Sequence, residues 1–534
     1  MHLYDSAGAT EGTSVSRTRP AAVMILAAGA GTRMKSATPK VLHPLAGRSL
    51  VGHALAAAAT LDPHRVVVVV RHERAKVAAH IHEIAPHALL ADQDEIPGTG
   101  RAVFCGLSTL DATAVAARVA SGEVGDISVL DTQLDGAVVV TSGDVPLVDG
   151  ALLGSLVDAH ADSGAAVTLL TARVEDPTGY GRIVRDAGTD EVVEIVEHKD
   201  ASDDQRAIDE INAGIYVFDA AVLRGALARL GRDNSQGEMY LTDVIAIARG
   251  DGGRVQPFVA PDADAVEGVN DRVQLAAVGR RLNDLILEHW MREGVTITDP
   301  STTWIDADVV LAPDVTILPG TQLQGATEVA SGATIGPDST LTDVQVGAGA
   351  TVTRVHGSRS VIDAGATVGP FSYLRPGTHL GVDGKIGAFV ETKNATIGDH
   401  SKVPHLSYVG DATIGHHSNI GAATIFVNYD GVSKNRSTVG DHARVGSDNS
   451  LIAPVTIGDG AYTGAGAIIR RDVPPGALAL TSAPQQNVDG WVVRRRPGTA
   501  SAEAAEAASQ ADGHGDALSS GPQAVPADDP QGEA

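Results

Sequence analysis

Cysteine is almost missing from this chain. Cys105 is alone among 534 residues, which excludes an intrachain disulfide and any zinc centre built on several thiolates. Aromatic residues make up only 3%, so a large sandwich core packed around rings is not expected. Positive charge is in deficit. There are 40 Lys and Arg against 66 Asp and Glu, a net charge of -26. That balance speaks against sequence-independent binding to nucleic acid or to an anionic membrane surface. Small anionic substrates stay open, since a pocket can be basic inside an acidic protein. No apolar run approaches the ~20 residues of a membrane helix. The first twenty residues lack the basic start and apolar core of a secretory signal. A soluble, cytoplasmic protein is expected.

What is abundant is glycine, with 60 residues, and periodicity. The length implies two or three domains. Residues 1–20 are small, polar and unpatterned, and read as a disordered extension. Residues 498–534 carry seven acidic residues and no Lys or Arg. They read as a disordered acidic tail, either solubilising or docking. From 21 to 271, apolar runs such as Val23–Leu26, Val66–Val70, Val138–Val140 and Val167–Leu170 alternate with helical stretches such as 49–60 and 150–163. That alternation predicts a doubly wound α/β sheet, Rossmann-like in layout, with ligands at the carboxyl ends of its strands. Residues 272–293 place Val278, Leu282, Leu285, Ile286 and Trp290 at helical spacing before Gly294, and read as a connecting helix.

From 294 to 497 the period changes to six. Aliphatic residues recur at Ile335 and Leu341, Val346 and Val352, Ile362 and Val368, Ile397 and Val403. Ile414-Gly415 is echoed at Ile420-Gly421, Val439-Gly440 at Val445-Gly446, and Ile457-Gly458 at Thr463-Gly464. Such hexapeptides form a left-handed parallel β-helix, each repeat giving one short strand and a turn.

Two stretches carry chemistry. Directly after the first strand come Leu26-Ala27-Ala28-Gly29-Ala30-Gly31-Thr32-Arg33, then Pro39-Lys40. Small residues there let backbone N–H groups close around phosphate, and Arg33 and Lys40 add charge. Asp144, at a strand end, reads as a magnesium ligand or, taken alone, as a helix cap. The spacing fits neither the dinucleotide fingerprint nor the P-loop. Together with Gln93, Gly98-Thr99-Gly100, Ser142-Gly143-Asp144-Val145-Pro146, Gly179-Tyr180-Gly181-Arg182, Glu197-His198-Lys199, Asn212-Ala213-Gly214 and Val269-Asn270, the stretch resembles the sugar-1-phosphate nucleotidyltransferases. With the hexapeptide domain, residues 21–496 resemble the bacterial bifunctional N-acetylglucosamine-1-phosphate uridyltransferases/glucosamine-1-phosphate N-acetyltransferases.

That resemblance implies two reactions: acetyl-CoA acetylates glucosamine-1-phosphate, and the product then takes uridylyl from UTP with Mg2+, releasing pyrophosphate. It assigns Leu26, Ala27, Ala28, Gly29, Lys40, Gln93, Gly98, Thr99, Ser142, Gly143 and Asp144 to the nucleotide. Gly181, Glu197 and Asn212 go to the sugar, and Asp144 with Asn270 to the metal. Arg33 and Lys40 neutralise phosphate. In the second half, His405 is the base that deprotonates the amine, for which an imidazole has the matching pKa, and Glu391 orients it. Arg375, Lys393, Tyr408 and Asn419 hold glucosamine-1-phosphate. Ala422, Asn428, Tyr429, Ser447 and Ala465 hold acetyl-CoA. Departures from the six-residue step near 404–411 and 425–437 are where side chains should leave the prism. Homotrimers are implied.

Three positions depart from the family pattern. Ala30 replaces a frequent lysine, Ser142 a frequent aromatic, and Ser482 a frequent arginine. Arg494, Arg495 and Arg496 after Trp491 either compensate for the last or are a solvated end of the fold. Two rival functions remain: a uridyltransferase whose β-helix only trimerises it, and a non-catalytic scaffold. Intact Asp144, Lys40 and Asn270 argue against the second, and His405 with Arg375, Lys393 and Tyr408 against the first.

Overall fold

The computed structural model describes residues 18–120, 133–186, 188, 191–481 and 485–512. Most of the amino-terminal extension, residues 1–17, lies outside them, as do Ser482 and residues 513–534.

Strand Ala22–Ala27 is the centre of the first sheet. It pairs in parallel with Val66–Val70 on one side and Ala137–Ser142 on the other. The order across the sheet is Val255–Val259, Val167–Arg173, Glu210–Asp219, Ala137–Ser142, Ala22–Ala27, Val66–Val70, Leu89–Asp92. Glu210–Asp219 runs antiparallel to both neighbours; the others are parallel. Alternate residues feed opposite faces. Met24, Val67, Val69, Val138 and Val140 pack on one side, against helices that include Thr99–Ala120. Val23, Ile25, Val68, Val70 and Val139 pack on the other, against Leu50–Ala59 and Gly150–Ser163. Both faces are covered, which explains why these strands read as continuous valine runs.

Helix Arg272–Arg292 follows, capped at its start by Asp271, which accepts from the N–H groups of Val273 and Gln274. It buries Val278, Leu282, Ile286, Leu287 and Trp290. Leu285, read from sequence as part of that face, is 38% exposed and Leu287 takes its place. Asn283 is buried too. It donates to the Thr303 carbonyl (2.9 Å) and accepts from the Ile305 N–H (3.1 Å), fastening the helix to the first coil of the prism.

The prism has three parallel faces wound left-handed. The hexapeptide aliphatics Ile335, Leu341, Val346, Val352, Ile362, Val368, Ile397, Val403, Ile414 and Ile420 are all buried and form one continuous core. Register between coils is strict: Lys385 pairs with Lys402 and Lys402 with Asn419, a step of 17 residues. Asn419 then pairs with Arg444, a step of 25. The extra residues form the loop after Val427 that returns at Ser437. The stretch 404–411 is no such insertion. It turns a prism corner at unchanged step, because Lys402–His405 and Tyr408–Ile414 both remain paired with the preceding coil.

Residues beyond 480 form a separate unit. Part of the expected disordered tail is helical there: Ala500–Asp512 is an α-helix, with Thr499 capping the Ala502 N–H at 3.3 Å. Composition misled because alanine and glutamate, poor at building a core, are strong helix formers. Among the described residues no helix is long and apolar enough to cross a membrane.

Leu341 is completely buried in the prism core. Leu341→Ala should cost about 2–5 kcal/mol, read as a lower guanidinium midpoint by circular dichroism. An unchanged midpoint would mean that the coils do not share one core.

Candidate functional site

Four strand ends converge on a cavity of about 440 Å³. Leu26, Ala27, Ala28 and Gly29 form one wall, Gln93, Gly98 and Thr99 another, and Lys40, Ser142 and Asp144 the floor. The Gly143 N–H donates to the Leu26 carbonyl (2.9 Å), which locks two loops together. The Gln93 amide donates to the carbonyls of Ile96 (3.0 Å) and Gly98 (3.3 Å). Gly98 has φ +116, and a Cβ there would lie 2.2 Å from the Met239 carbonyl oxygen; no other residue fits.

Lys40 Nζ sits between the Asp144 carboxylate and the Asn270 amide oxygen, 3.3 Å from the latter. Arg33 donates to the same Asn270 oxygen (2.9 Å). The Asp144 carbonyl accepts from the Val269 N–H (2.9 Å), which holds the two distant segments together. Ser142 donates to Asp144 Oδ1 (2.5 Å), so the residue standing where an aromatic is frequent orients the carboxylate. Two oxygens aimed at one ammonium form a cation site, and Lys40 Nζ stands in for the ion. The set fits magnesium, which favours oxygen donors and fills its shell with phosphate and water.

Gly181, Glu197 and Asn212 gather beyond this point. A Cβ on Gly181 would lie 3.6 Å from Asn212 Cβ and 3.7 Å from Glu197 Oε1. Asn212 is oriented by two bonds, its amide donating to the Tyr216 hydroxyl (2.7 Å) and its oxygen accepting from the Gly214 N–H (3.1 Å). Burial pushes the Glu197 carboxyl above the ordinary range, Thr242 opposes this with a hydrogen bond, and Asp200, Asp243 and Glu238 add to the rise. Arg71, His72 and Glu238 also line the 440 Å³ cavity. Sequence reasoning missed these three, and Tyr216 and Thr242, because none stands in a motif.

On the prism, His405 and Ala388 are register partners. Counting on from the pairs Lys402–Asn419, Ile420–Val445 and Tyr462 with Arg444, the same position in later coils is Ala422, Ser447 and Ala465. Backbone bonds confirm the stack: Asp448 N–H to the Ala422 carbonyl (2.7 Å) and Gly466 N–H to the Ser447 carbonyl (2.8 Å). These four residues therefore form one column along a prism edge, about 14 Å long at the strand spacing. Round the corner stand Arg375, Lys393 and Tyr408. The Tyr408 ring lies over Gly410, where a Cβ would meet its hydroxyl at 2.3 Å. Asp411 accepts from Asn394 (2.7 Å) and Asn428 (2.6 Å). Burial alone would raise its carboxyl, but these bonds, with Lys393 and Lys434 nearby, hold it below the usual range. Lys434, from the inserted loop, pushes the Lys393 ammonium below its ordinary value. Tyr429, in that loop, is half exposed, its hydroxyl donating to the Gly431 carbonyl (2.7 Å).

Two expectations are not met within one chain. Glu391 does not reach His405; its carboxylate accepts from Arg375 (3.0 Å), the nearest cation across the register. Asn419 is not beside Tyr408. It pairs with Lys402 and Arg444 on another face of the prism.

The chain is 60% identical over 489 residues to the bifunctional protein GlmU of Kineococcus radiotolerans, covering 92% of this chain and 95% of that protein. The GlmU proteins of Pseudarthrobacter chlorophenolicus (58%, 92% and 96%) and Streptomyces avermitilis (55%, 93% and 99%) are similar along their length. The chain belongs to the bifunctional GlmU family. Residues 23–282 also match the MobA-like NTP transferase domain. As a GlmU family member it is a uridylyltransferase and a glucosamine-1-phosphate acetyltransferase in one polypeptide.

The raised Glu197 carboxyl gives a pH test. The group keeps its proton to a higher pH than an ordinary glutamate, so one of its two acceptor oxygens becomes a hydroxyl donor as pH falls through that elevated value. The KM for N-acetylglucosamine-1-phosphate should rise with acidification in the wild type and be flat in Glu197→Gln. A parallel rise in both would remove Glu197 from sugar binding.

Proposed function

We propose that the two clusters are the active sites of these two transfers, with the residue roles as follows. In the first, a sugar phosphate oxygen attacks the α-phosphorus of UTP and pyrophosphate leaves. The nucleophile is already ionised at neutral pH, so no base is needed, and rate comes from positioning and cations. Lys40 and Arg33 neutralise phosphate charge, while the loop Leu26–Gly29 offers backbone N–H groups. Gln93, Gly98 and Thr99 face the base, and Gly181, Glu197 and Asn212 the sugar. Asp144 and Asn270 hold Mg2+, which supplies charge neutralisation at the phosphates when bound. Lys40 between two oxygen donors is the observation that carries this reading.

In the second site, Arg375, Lys393 and Lys434 grip the phosphate of glucosamine-1-phosphate. Two lysines close enough to repel are poised for a dianion, which relieves the repulsion. A phosphate on Arg375 also competes with Glu391 for the guanidinium and frees that carboxylate towards His405. His405 takes a proton from the amine as its nitrogen bonds to the thioester carbonyl carbon; the C–S bond then breaks and coenzyme A leaves as the thiol, taking the proton back from the His405 imidazolium. Acetyl-CoA lies along the column Ala422, Ser447, Ala465, with Asn428 and Tyr429 flanking it. Asn419 faces another way, so a sugar held by both it and Tyr408 lies between two chains, as in a homotrimer. A prism used only for assembly has no need of this cationic cluster, which disfavours the uridyltransferase-only reading. Cytoplasmic location follows from the substrates.

Purified protein with glucosamine-1-phosphate, acetyl-CoA, UTP and magnesium should yield UDP-N-acetylglucosamine by mass-resolved assay. His405→Ala should lose about 10²–10⁴-fold in acetylation yet still couple supplied N-acetylglucosamine-1-phosphate to UTP. Asp144→Ala should do the reverse and accumulate that intermediate. Unimpaired acetylation by His405→Ala would reject the assigned base.

A further inference from the structure

We propose that the groove between helix Leu50–Ala59 and helix Arg74–Ile84 is a second ligand site, for a small amphipathic anion: an apolar or aromatic body carrying one acidic group. The groove encloses about 670 Å³ and shares no lining residue with the nucleotide cavity. That volume suits a metabolite-sized ligand.

Its floor is apolar. Leu55, Ala56 and Ala59 contribute from the first helix, and Ile84, 44% exposed, from the second. Its rim carries nitrogen donors. His64 and Arg65 stand before strand Val66–Val70, His80 on the second helix, and His87 in the turn after it. Among the described residues the acidic group lining the groove is Asp308, and Arg48 holds it, Nε to Oδ1 at 3.1 Å. Among the described residues the Arg65 guanidinium and three imidazole donors thus line the groove beside the Arg48–Asp308 pair, in a protein whose net charge is -26. Local charge of the opposite sign to the whole molecule, over an apolar floor, selects an anion with an apolar body.

The walls are fixed before any ligand arrives. Ser49 accepts from the Gly52 N–H (3.0 Å) and shares a hydrogen bond with His80 Nε2 (2.8 Å), which ties the two helices across the groove. The second helix also leads to the first active site. Arg71 and His72, just before it, line the nucleotide cavity, and Lys76 donates to the Ala37 carbonyl (3.4 Å) in the loop that leads to Lys40. An occupant of the groove therefore bears on the phosphate loop through one rigid element.

The test is a fluorescence titration of the full-length protein with anilinonaphthalene sulfonate. Saturable binding of one probe per chain, undisplaced by UTP with magnesium, is expected. Ala56→Phe, which fills the floor, and Arg65→Gln, which removes rim charge, should each weaken it at least about tenfold, with uridylyl transfer intact as the control for folding. Displacement by UTP would place the probe in the nucleotide cavity and overturn the proposal. So would full affinity in Arg65→Gln, or equal binding of the analogue lacking sulfonate, since either means an apolar groove without anion selectivity. The Pro20 carbonyl accepts from the His64 N–H (3.2 Å), so Pro20 lies beside the rim. If deleting residues 1–17 raised affinity more than tenfold, the groove would be the seat of the chain's own amino terminus, and the small-anion reading would fail.

Discussion

Coil-to-coil register is the constraint on which the carboxy-terminal half depends. Each face places one aliphatic side chain inward per hexapeptide, and a slip of one residue would turn it outward. Once Val403, Ile420, Val445 and Thr463 are locked inside, the residue two further on is fixed on the edge in every coil. His405, Ala422, Ser447 and Ala465 are aligned for that reason and no other. A long, thin co-substrate can lie along such a column without any loop having to wrap it. The 25-residue coil between Asn419 and Arg444 departs from the step only in its excursion, so it adds Asn428, Tyr429 and Lys434 without disturbing the column.

Charge is arranged on a second scale. The molecule is strongly acidic, yet both clusters proposed to meet phosphate hold cations that are partly satisfied in advance. Lys40 is nearly buried against Asp144, with side chains 12% and 19% exposed, and an ion pair at that depth is costly to leave half-made. Arg375 is paired to Glu391, and the Lys393–Lys434 repulsion is offset by Asp411. Each cation is thereby held in place by a weaker partner that a phosphate dianion can outcompete. Asp411 has a further structural duty, since it fixes the amides of Asn394 and Asn428 in the coils before and after its own.

Local pattern made the fold legible. Valine runs and six-residue spacing are direct records of burial on both sheet faces and on three prism faces. Gly98 was legible because its backbone conformation demands that residue type. Partnerships were not. Nothing in the sequence says that Glu391 turns to Arg375, that Asn419 lies on a different face from Tyr408, or that Ser142 replaces an aromatic by hydrogen-bonding Asp144. Such pairings are set by which coils and loops become neighbours, and that is a property of register. The helix Ala500–Asp512 was missed for the opposite reason: composition was weighed for core formation, while helix propensity is local.

The first site is assembled differently, and this ties the halves together. Asp144 and Asn270, the pair proposed to hold the metal, are far apart in sequence, and Asn270 immediately precedes Asp271, the cap of the connecting helix. The Val269 N–H is bound to the Asp144 carbonyl, so the helix begins at the nucleotide site. A few turns later Asn283 satisfies both Thr303 and Ile305 in the first coil, and its burial makes those bonds expensive to lose. The helix is thus anchored at one end by the Val269–Asp144 backbone bond and along its length by the prism. The position of Asn270, and with it the cation site, depends on a helix whose apolar face is packed on the acetyltransferase half, even though the two reactions share no side chain.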